Sequence, residues 1–462
     1  MFVGREYELK VLNERYHSGR FEFLPIYGRR RVGKTAIIRE FIKDKQAIFY
    51  TATESGGNQN LRGLSSEVHK AASGIVSNLS YNTYEAAFDA ISSIAEKEKL
   101  IFVIDEYPYL AQSYKAVSSI LQTYIDQKFK DTDMLMILCG SSMSFMEYQV
   151  LGYKSPLYGR RTGQLRITPF GFIDSLKFHT GFSKEDQAVI YGITGGIPKY
   201  LEIIDDRYAL KENIIKSFLT ADSMLYEEPS NLLKQELREP QTYNDILAVI
   251  AGGSSKMNEI VTKTGIIDFD SSKCNKYLQT LISLDIVKRE LPARAPKSKK
   301  SIYRLNDGMF RFWYRFVAQN VTRIQLGLGG AVYSDIEPQI PAFMGEVFED
   351  ICKQWLWAEN IANRLPFSFN DLGRWWGADP IRKQEADVDI LAVEEDKHRA
   401  ILCECKWTNE KVDGRTVDDL VRKAELFNFS EVYYILFSKS GFKEDAIKMA
   451  GDRIRLVSFA DM

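Results

Sequence analysis

The sequence predicts an α/β protein of several domains, and three features carry that prediction. Apolar runs with the content of buried strands, FEFLPIYG, KLIFVIDE and MLMILCGSS, end in glycine, an acid or serine, and helical periodicity follows them. Runs that are apolar throughout, without alternation, belong to parallel strands covered on both faces. From about Phe182 to Arg238 the pattern is helical, with polar turns between the amphipathic segments. Near the C-terminus two further strands, VDILAV and AILCECKW, are followed by a helical stretch and the strand VYYILFSKSGF, enough for a second, smaller α/β core.

Composition sets the limits. A chain of 462 residues exceeds one ordinary core, and roughly two to four domains are expected. Hydrophobic residues at 45% and charged residues at 27% match a globular protein rather than a disordered one. With 61 Lys plus Arg against 62 Asp plus Glu, any nucleic-acid contact must rest on a local basic patch. The start, MFVGREYELK, lacks an apolar signal segment and every apolar run is too short to cross a bilayer, so a cytoplasmic protein without membrane partners is expected. The five cysteines form no CxxC pair, and Cys403 and Cys405 alternate along a strand as reduced, buried thiols would. The four histidines fall at neither HExxH nor zinc-finger spacing, which argues against structural zinc.

Between the first strand and its helix lies G-x-x-x-x-G-K-T, from Gly28 through Gly33, Lys34 and Thr35. Glycines let successive amides turn toward the β and γ phosphates of a nucleotide, the helix N-terminus adds its positive end, Lys34 adds a point charge, and Thr35 is placed to ligate Mg²⁺. The strand KLIFVID delivers Asp105 to the Mg²⁺ shell and Glu106 to polarise the attacking water. The third strand ends at Ser141 and Ser142, where a hydroxyl either senses the γ phosphate or caps the next helix. Arg29, Arg30 and Arg31 lie inside the loop, and because amides do the cradling their side chains are available for another domain, a neighbouring subunit, nucleic acid or local carboxylates.

The ordered signatures FVGREYEL, YGRRRVGKT, IDEYPYL, GSSMSFM, PLYGRRTGQLRITPF and GGIPKYL resemble the archaeal-type ATPases, relatives of the AAA+ and STAND NTPases that also occur in bacteria. The resemblance implies ATP and Mg²⁺ as cofactors. It implies that Gly4, Arg5 and Glu6 form an opening element near the adenine, that Arg160 or Arg161 is the arginine after the sensor strand, and that Pro198 is the proline of the lid helices.

After the lid, Pro240 breaks the chain, and YNDILAVIAGG, KMNEIVTKTG and SSKCNKYLQTLISLDIV read as short helices. The strands VKREL and SIYRL close the block around PARAPKSKK. This is the outline of a winged helix, in which the third helix enters a major groove and the hairpin meets phosphates, with Lys273, Lys276, Arg294, Lys297, Lys299 and Lys300 as contacting cations. The same block also serves in other proteins as a spacer between partners. A Gly-rich stretch around Gly327, Gly329 and Gly330 marks the next boundary.

Beyond it, Asp389 on VDILAV and Glu404 and Lys406 on AILCECKW converge, since period-two geometry puts Glu404 and Lys406 on one face. Two carboxylates and a lysine are what metal-dependent phosphodiester hydrolysis needs: Asp389 and Glu404 hold Mg²⁺, and Lys406 orients or deprotonates water and offsets developing charge. The D-x14-E-C-K arrangement resembles the PD-(D/E)xK nuclease fold, and the resemblance assigns Glu349 in GEVFED to the site, with Glu346 as its neighbour. Lys423 stands either near the metal edge or, the simpler reading, on the surface of its helix.

The expected architecture is therefore a P-loop NTPase parallel sheet (1–180), a helical lid (181–238), a winged helix (239–325) and a C-terminal restriction-endonuclease-like α/β domain (335–462). The expected function is an ATPase switch controlling a DNA-binding, Mg²⁺-dependent nuclease module, with DNA and further copies of the chain as partners. The alternative is an ATP-governed signalling or scaffold protein whose nuclease-like domain only binds a partner.

Overall fold

The computed structural model describes residues 2–75, 79–294, 300–394, 396 and 398–462. The chain divides into two compact units, one formed by Met1–Pro169 with Ile197–Lys199, the other by Phe170–Gly196 with Tyr200–Met462.

The first unit is built on a parallel sheet of β1 (Glu22–Tyr27), β2 (Ala47–Thr51), β3 (Leu100–Asp105), β4 (Met134–Gly140) and β5 (Leu165–Arg166), in the order β2-β3-β4-β1-β5. Every residue of β1, β3 and β4 is buried, as the uninterrupted apolar runs require. Alternate side chains feed two cores: Phe23, Phe102, Met136 and Leu138 pack on one face, and Leu24, Ile26, Ile101, Val103 and Ile137 on the other. Because the strands run parallel, the C-terminal ends of β1, β3 and β4 share one edge of the sheet.

The second unit opens with the helices Lys184–Thr194, Leu210–Phe218 and Met224–Glu236. Three more follow, Pro240–Ala251, Met257–Thr264 and Ser271–Ser283, and then an antiparallel hairpin of β6 (Val287–Glu290) and β7 (Ile302–Leu305). The aromatic stretch begins as the helix Gly308–Phe312, and a long helix spans Ile340–Ile361. The last sheet has the order β12-β11-β10-β9-β8, from β8 (Asp371–Asp379), β9 (Gln384–Glu394), β10 (Arg399–Lys406), β11 (Glu431–Ser438) and β12 (Ile454–Ser458). It is mixed: β8, β9 and β10 pair antiparallel, whereas β10, β11 and β12 run parallel. The helix Gly414–Lys423 buries Val417 and Leu420 against Val388, Leu402 and Leu436. Among the described residues no helix is long and apolar enough to cross a membrane.

Candidate functional site

At the C-terminal edge of the first sheet the chain leaves β1 through Gly28, where an added Cβ would stand 2.2 Å from the Ile167 carbonyl oxygen. That approach is a hard steric limit, and only glycine meets it. The loop then turns through Arg31 (φ 70) and Gly33 (φ 90) into the helix Lys34–Ile42. Lys34, 6% exposed, donates to the carbonyls of Gly28 at 2.8 Å and Arg29 at 2.9 Å. Burial pushes its ammonium below the usual lysine range. Thr35 Oγ1 donates to Asp105 Oδ2 at 2.8 Å. Glu106, strained at φ 50, accepts from the Ser141 hydroxyl at 2.8 Å. Lys34, Thr35, Asp105, Glu106 and Ser141 thus gather where a helix N-terminus and a glycine-bounded loop meet. A hydroxyl beside a carboxylate is a donor set suited to Mg²⁺ completed by phosphate oxygens.

The other residues expected here are placed as follows. Arg5 (φ 69) donates to the carbonyls of Val32 at 2.9 Å and Thr168 at 2.8 Å, tying the opening element, with Gly4 before it and Glu6 after it, to the loop. Pro198 lies 3.8 Å from the position of a Gly33 Cβ. Arg29 is buried, and Arg30 donates to the Tyr109 hydroxyl at 3.2 Å. Arg160 is clamped by Asp126 at 2.6 Å and 2.8 Å and donates to the Pro156 carbonyl at 2.9 Å.

A second cluster lies in the second unit. Pairing of β9 with β10 runs as far as Cys403 with Ile390, and Asp389 reaches across the fork to accept from the Cys405 amide at 2.8 Å. Glu404 is gripped by two ammoniums: Lys406 Nζ at 2.5 Å from one oxygen and Lys423 Nζ at 3.1 Å from the other. Burial and the neighbouring Glu404 charge push the Asp389 carboxyl up. Burial and Asp389 together push Glu349 up to about 7. Burial opposes the charge on Lys406, but Glu404 and Asp389 outweigh it and hold the amine above the usual lysine range. As it stands, Lys406 is a proton-bearing donor rather than a base. Arg374 joins the cluster, 3.8 Å from Glu349 and 2.5 Å from Asp387.

Burial first and mutual repulsion second raise Asp389 and Glu349 even with Lys406 and Arg374 nearby, and crowded hard oxygen donors suit a divalent cation. Even so, among the described residues no group of three or more His, Cys, Asp or Glu already stands around a metal position. Glu346 faces the hairpin, 3.7 Å from Arg304 and from Arg311.

Sequence reasoning undervalued Lys423 and did not single out Arg374. Lys423 is buried, with Val417 and Leu420 on the same stripe of its helix, so the i, i+3, i+6 spacing was the signal. Among the cations expected on the three-helix block, Lys273 donates to the Asp268 carbonyl at 2.6 Å, Lys276 and Lys300 are exposed, and Arg294 stacks 4.8 Å over Phe429. Lys297 and Lys299 lie outside the described residues.

Comparison with known proteins adds the following. A family profile described as an ATPase domain predominantly from Archaea matches residues 2–204. One described as archaeal and bacterial proteins of unknown function matches residues 313–417. An uncharacterized protein of Methanocaldococcus jannaschii is 34% identical over 444 residues, 95% of this chain and 96% of its own. An uncharacterized ATP-binding protein of the same organism is 41% identical over 46 residues, 10% of this chain and 78% of that one. The Walker-type ATPase of Pyrococcus abyssi superposes with a TM-score of 0.53 at 20% identity, covering 68% of this chain and 96% of that one, a likeness of fold.

Proposed function

The chain belongs to the archaeal-type ATPase family, and from that premise we propose that its ATP cycle controls a metal-dependent phosphodiesterase site acting on DNA. ATP binding and hydrolysis come with the family. The finer assignment is that Lys34 trades its two carbonyl partners for phosphate oxygens, that Thr35 and Asp105 hold Mg²⁺, and that Glu106, steadied by Ser141, takes the proton of the attacking water.

In the second unit Asp389 and Glu404 hold the metal, with Glu349 beside them, and Lys423 keeps Glu404 in place. Lys406, whose side chain is 40% exposed against 11% for Lys423, is the ammonium that can swing to the scissile phosphate. Mg²⁺, when bound at either site, supplies a Lewis acid for charge developing on the phosphate. The helices Pro240–Ala251, Met257–Thr264 and Ser271–Ser283 with the β6–β7 hairpin act as a winged helix that presents DNA. The supporting observation is the grip of two lysines on Glu404 next to Asp389. Its test is Mg²⁺-dependent cleavage of DNA: Lys406→Ala should abolish it, and cleavage unchanged in that variant removes the assigned role.

A second reading has its own support. Two ammoniums neutralise Glu404 already, and no ready-made group of three ligands is present among the described residues, as in a domain that binds a partner without chemistry. ATP turnover with and without DNA separates the two. Stimulation by DNA that fades steeply with salt supports the first, and turnover indifferent to DNA supports the second.

A further inference from the structure

A cleft of about 840 Å³ opens within the second unit, between the Met257–Thr264 helix and β7 on one side and the β8–β9 hairpin on the other. Its walls carry Lys256, Arg304, Arg374 and Trp376, with Glu385 and Asp387 among them. Arg374 in its wall is shared with the cluster described above through Asp387 and Glu349. A ligand lying along the cleft therefore arrives at the carboxylates.

We infer that this cleft takes an unpaired polynucleotide strand and leads its backbone to Asp389 and Glu404. The inference rests on the phosphodiesterase reading and adds the substrate class to it. Size is the first argument. The volume falls in the range of sites that enclose single small molecules, about 300–1,000 Å³. Room of that order takes a few nucleotides in single file. It does not enclose a duplex, which sets a second strand beside the first along its whole length.

Chemistry is the second argument. Trp376 is half-buried on the wall, and an indole face stacks any base irrespective of sequence. Two of the cations in its walls are held loosely: Lys256 stands 3.9 Å from Glu259 and Arg304 3.7 Å from both Glu290 and Glu346, whereas Arg374 is held by Asp387 at 2.5 Å. Charge-assisted hydrogen bonds are about 2.7–2.9 Å long, so Lys256 and Arg304 can yield donors to phosphate oxygens. Glu385 and Asp387 offset part of the charge, which makes stacking the larger contribution. Two phosphate contacts on a single strand correspond to a shallow slope of log affinity against log salt, about −1.4.

The test uses the full chain in EDTA, so that binding is read apart from cleavage. Fluorescence anisotropy compares labelled oligodeoxyuridylate, oligouridylate and a duplex of equal length, and tryptophan quenching reports on the ring. Either single strand should bind at least tenfold tighter than the duplex, and the tighter of the two identifies the sugar. Trp376→Ala should weaken strand binding on the order of tenfold or more, while Trp376→Phe, which keeps a stacking face, should stay close to wild type. Strand binding unchanged in Trp376→Ala, or duplex bound as tightly as strand, overturns the inference. Strand binding through Trp376 without any Mg²⁺-dependent cleavage keeps the cleft and removes the hydrolytic reading. Duplex cleavage at an unchanged rate in Trp376→Ala does the reverse.

Discussion

Lys34 spends its ammonium on two carbonyls of its own loop, Gly28 and Arg29, a resting arrangement that an arriving triphosphate must replace. Lys34→Ala should lower ATP turnover by about a hundredfold or more, with the far-ultraviolet circular dichroism of the wild type. Turnover within a few-fold of wild type would take the loop out of the account. Lys423 makes a different kind of test. It is buried and bonded to Glu404, so Lys423→Met should cost about 2 kcal/mol in urea unfolding, and Lys423→Arg, which keeps the charge, should recover part of that. Equal stability of all three proteins would show that Glu404 relies on Lys406 alone. Residues of this kind mark the limit of sequence reading. Lys34 was legible because the glycines around it have one strong use, whereas Lys423 gains its meaning only when its helix docks on β10.

The long helix Ile340–Ile361 serves two neighbours at once. Glu349 turns to the Asp389 cluster, while Glu346 and Asp350 meet Lys288 on β6, Arg304 on β7, and Arg311. Burial pushes the Asp350 carboxyl up, but Lys288 and Arg311 outweigh it and hold it at about 2, below its ordinary 3.8. A depressed carboxyl contributes stability that is complete above its unfolded pKa and is lost as pH falls through the folded one. Denaturant unfolding should therefore lose on the order of 2 kcal/mol between about pH 4 and pH 2. In Asp350→Asn that loss should vanish against a lower baseline, because Lys288 and Arg311 are left buried without their partner. An unchanged acid slope in the variant would contradict this.

At this scale the sequence was informative for elements and poor for their pairing. The apolar runs of β1, β3 and β4, and the three helices with a hairpin, were readable from periodicity and turns. The mixed sheet, with β10 antiparallel to β9 and parallel to β11, was not, since strand direction depends on contacts far apart in the chain. The hairpin differs from expectation for a similar reason. The Ala293 amide donates to the Arg374 carbonyl at 2.9 Å and Arg294 stacks on Phe429, so this one cation of the expected set packs within its own unit.

At the scale of the whole molecule, the chain itself joins the neighbour of the nucleotide loop to the second unit. The helix Lys184–Thr194 passes through Gly195 (φ 64) and Gly196 (φ 68) to Pro198, which lies over Gly33 of the loop. In the second unit the same helix meets the long helix, Gly192 against Val347, with Gln354 donating to the Tyr191 hydroxyl at 2.9 Å. We propose that a triphosphate moving Pro198 would pull, through this chain segment, on a helix packed against the element bearing Glu349. If this is the route, Gly196→Ala, whose Cβ would stand 2.2 Å from the Phe170 carbonyl oxygen, should uncouple the sites: ATP turnover persists but ceases to respond to DNA. A normal DNA response in that variant would rule the route out.

The most direct measurement is strand scission on DNA by the full chain with ATP and Mg²⁺, set beside Lys406→Ala and Lys34→Ala. Cleavage by the wild type, none by Lys406→Ala, and cleavage without ATP dependence in Lys34→Ala is the predicted result. No cleavage by the wild type under any nucleotide or metal condition, with ATP turnover intact, would contradict the account.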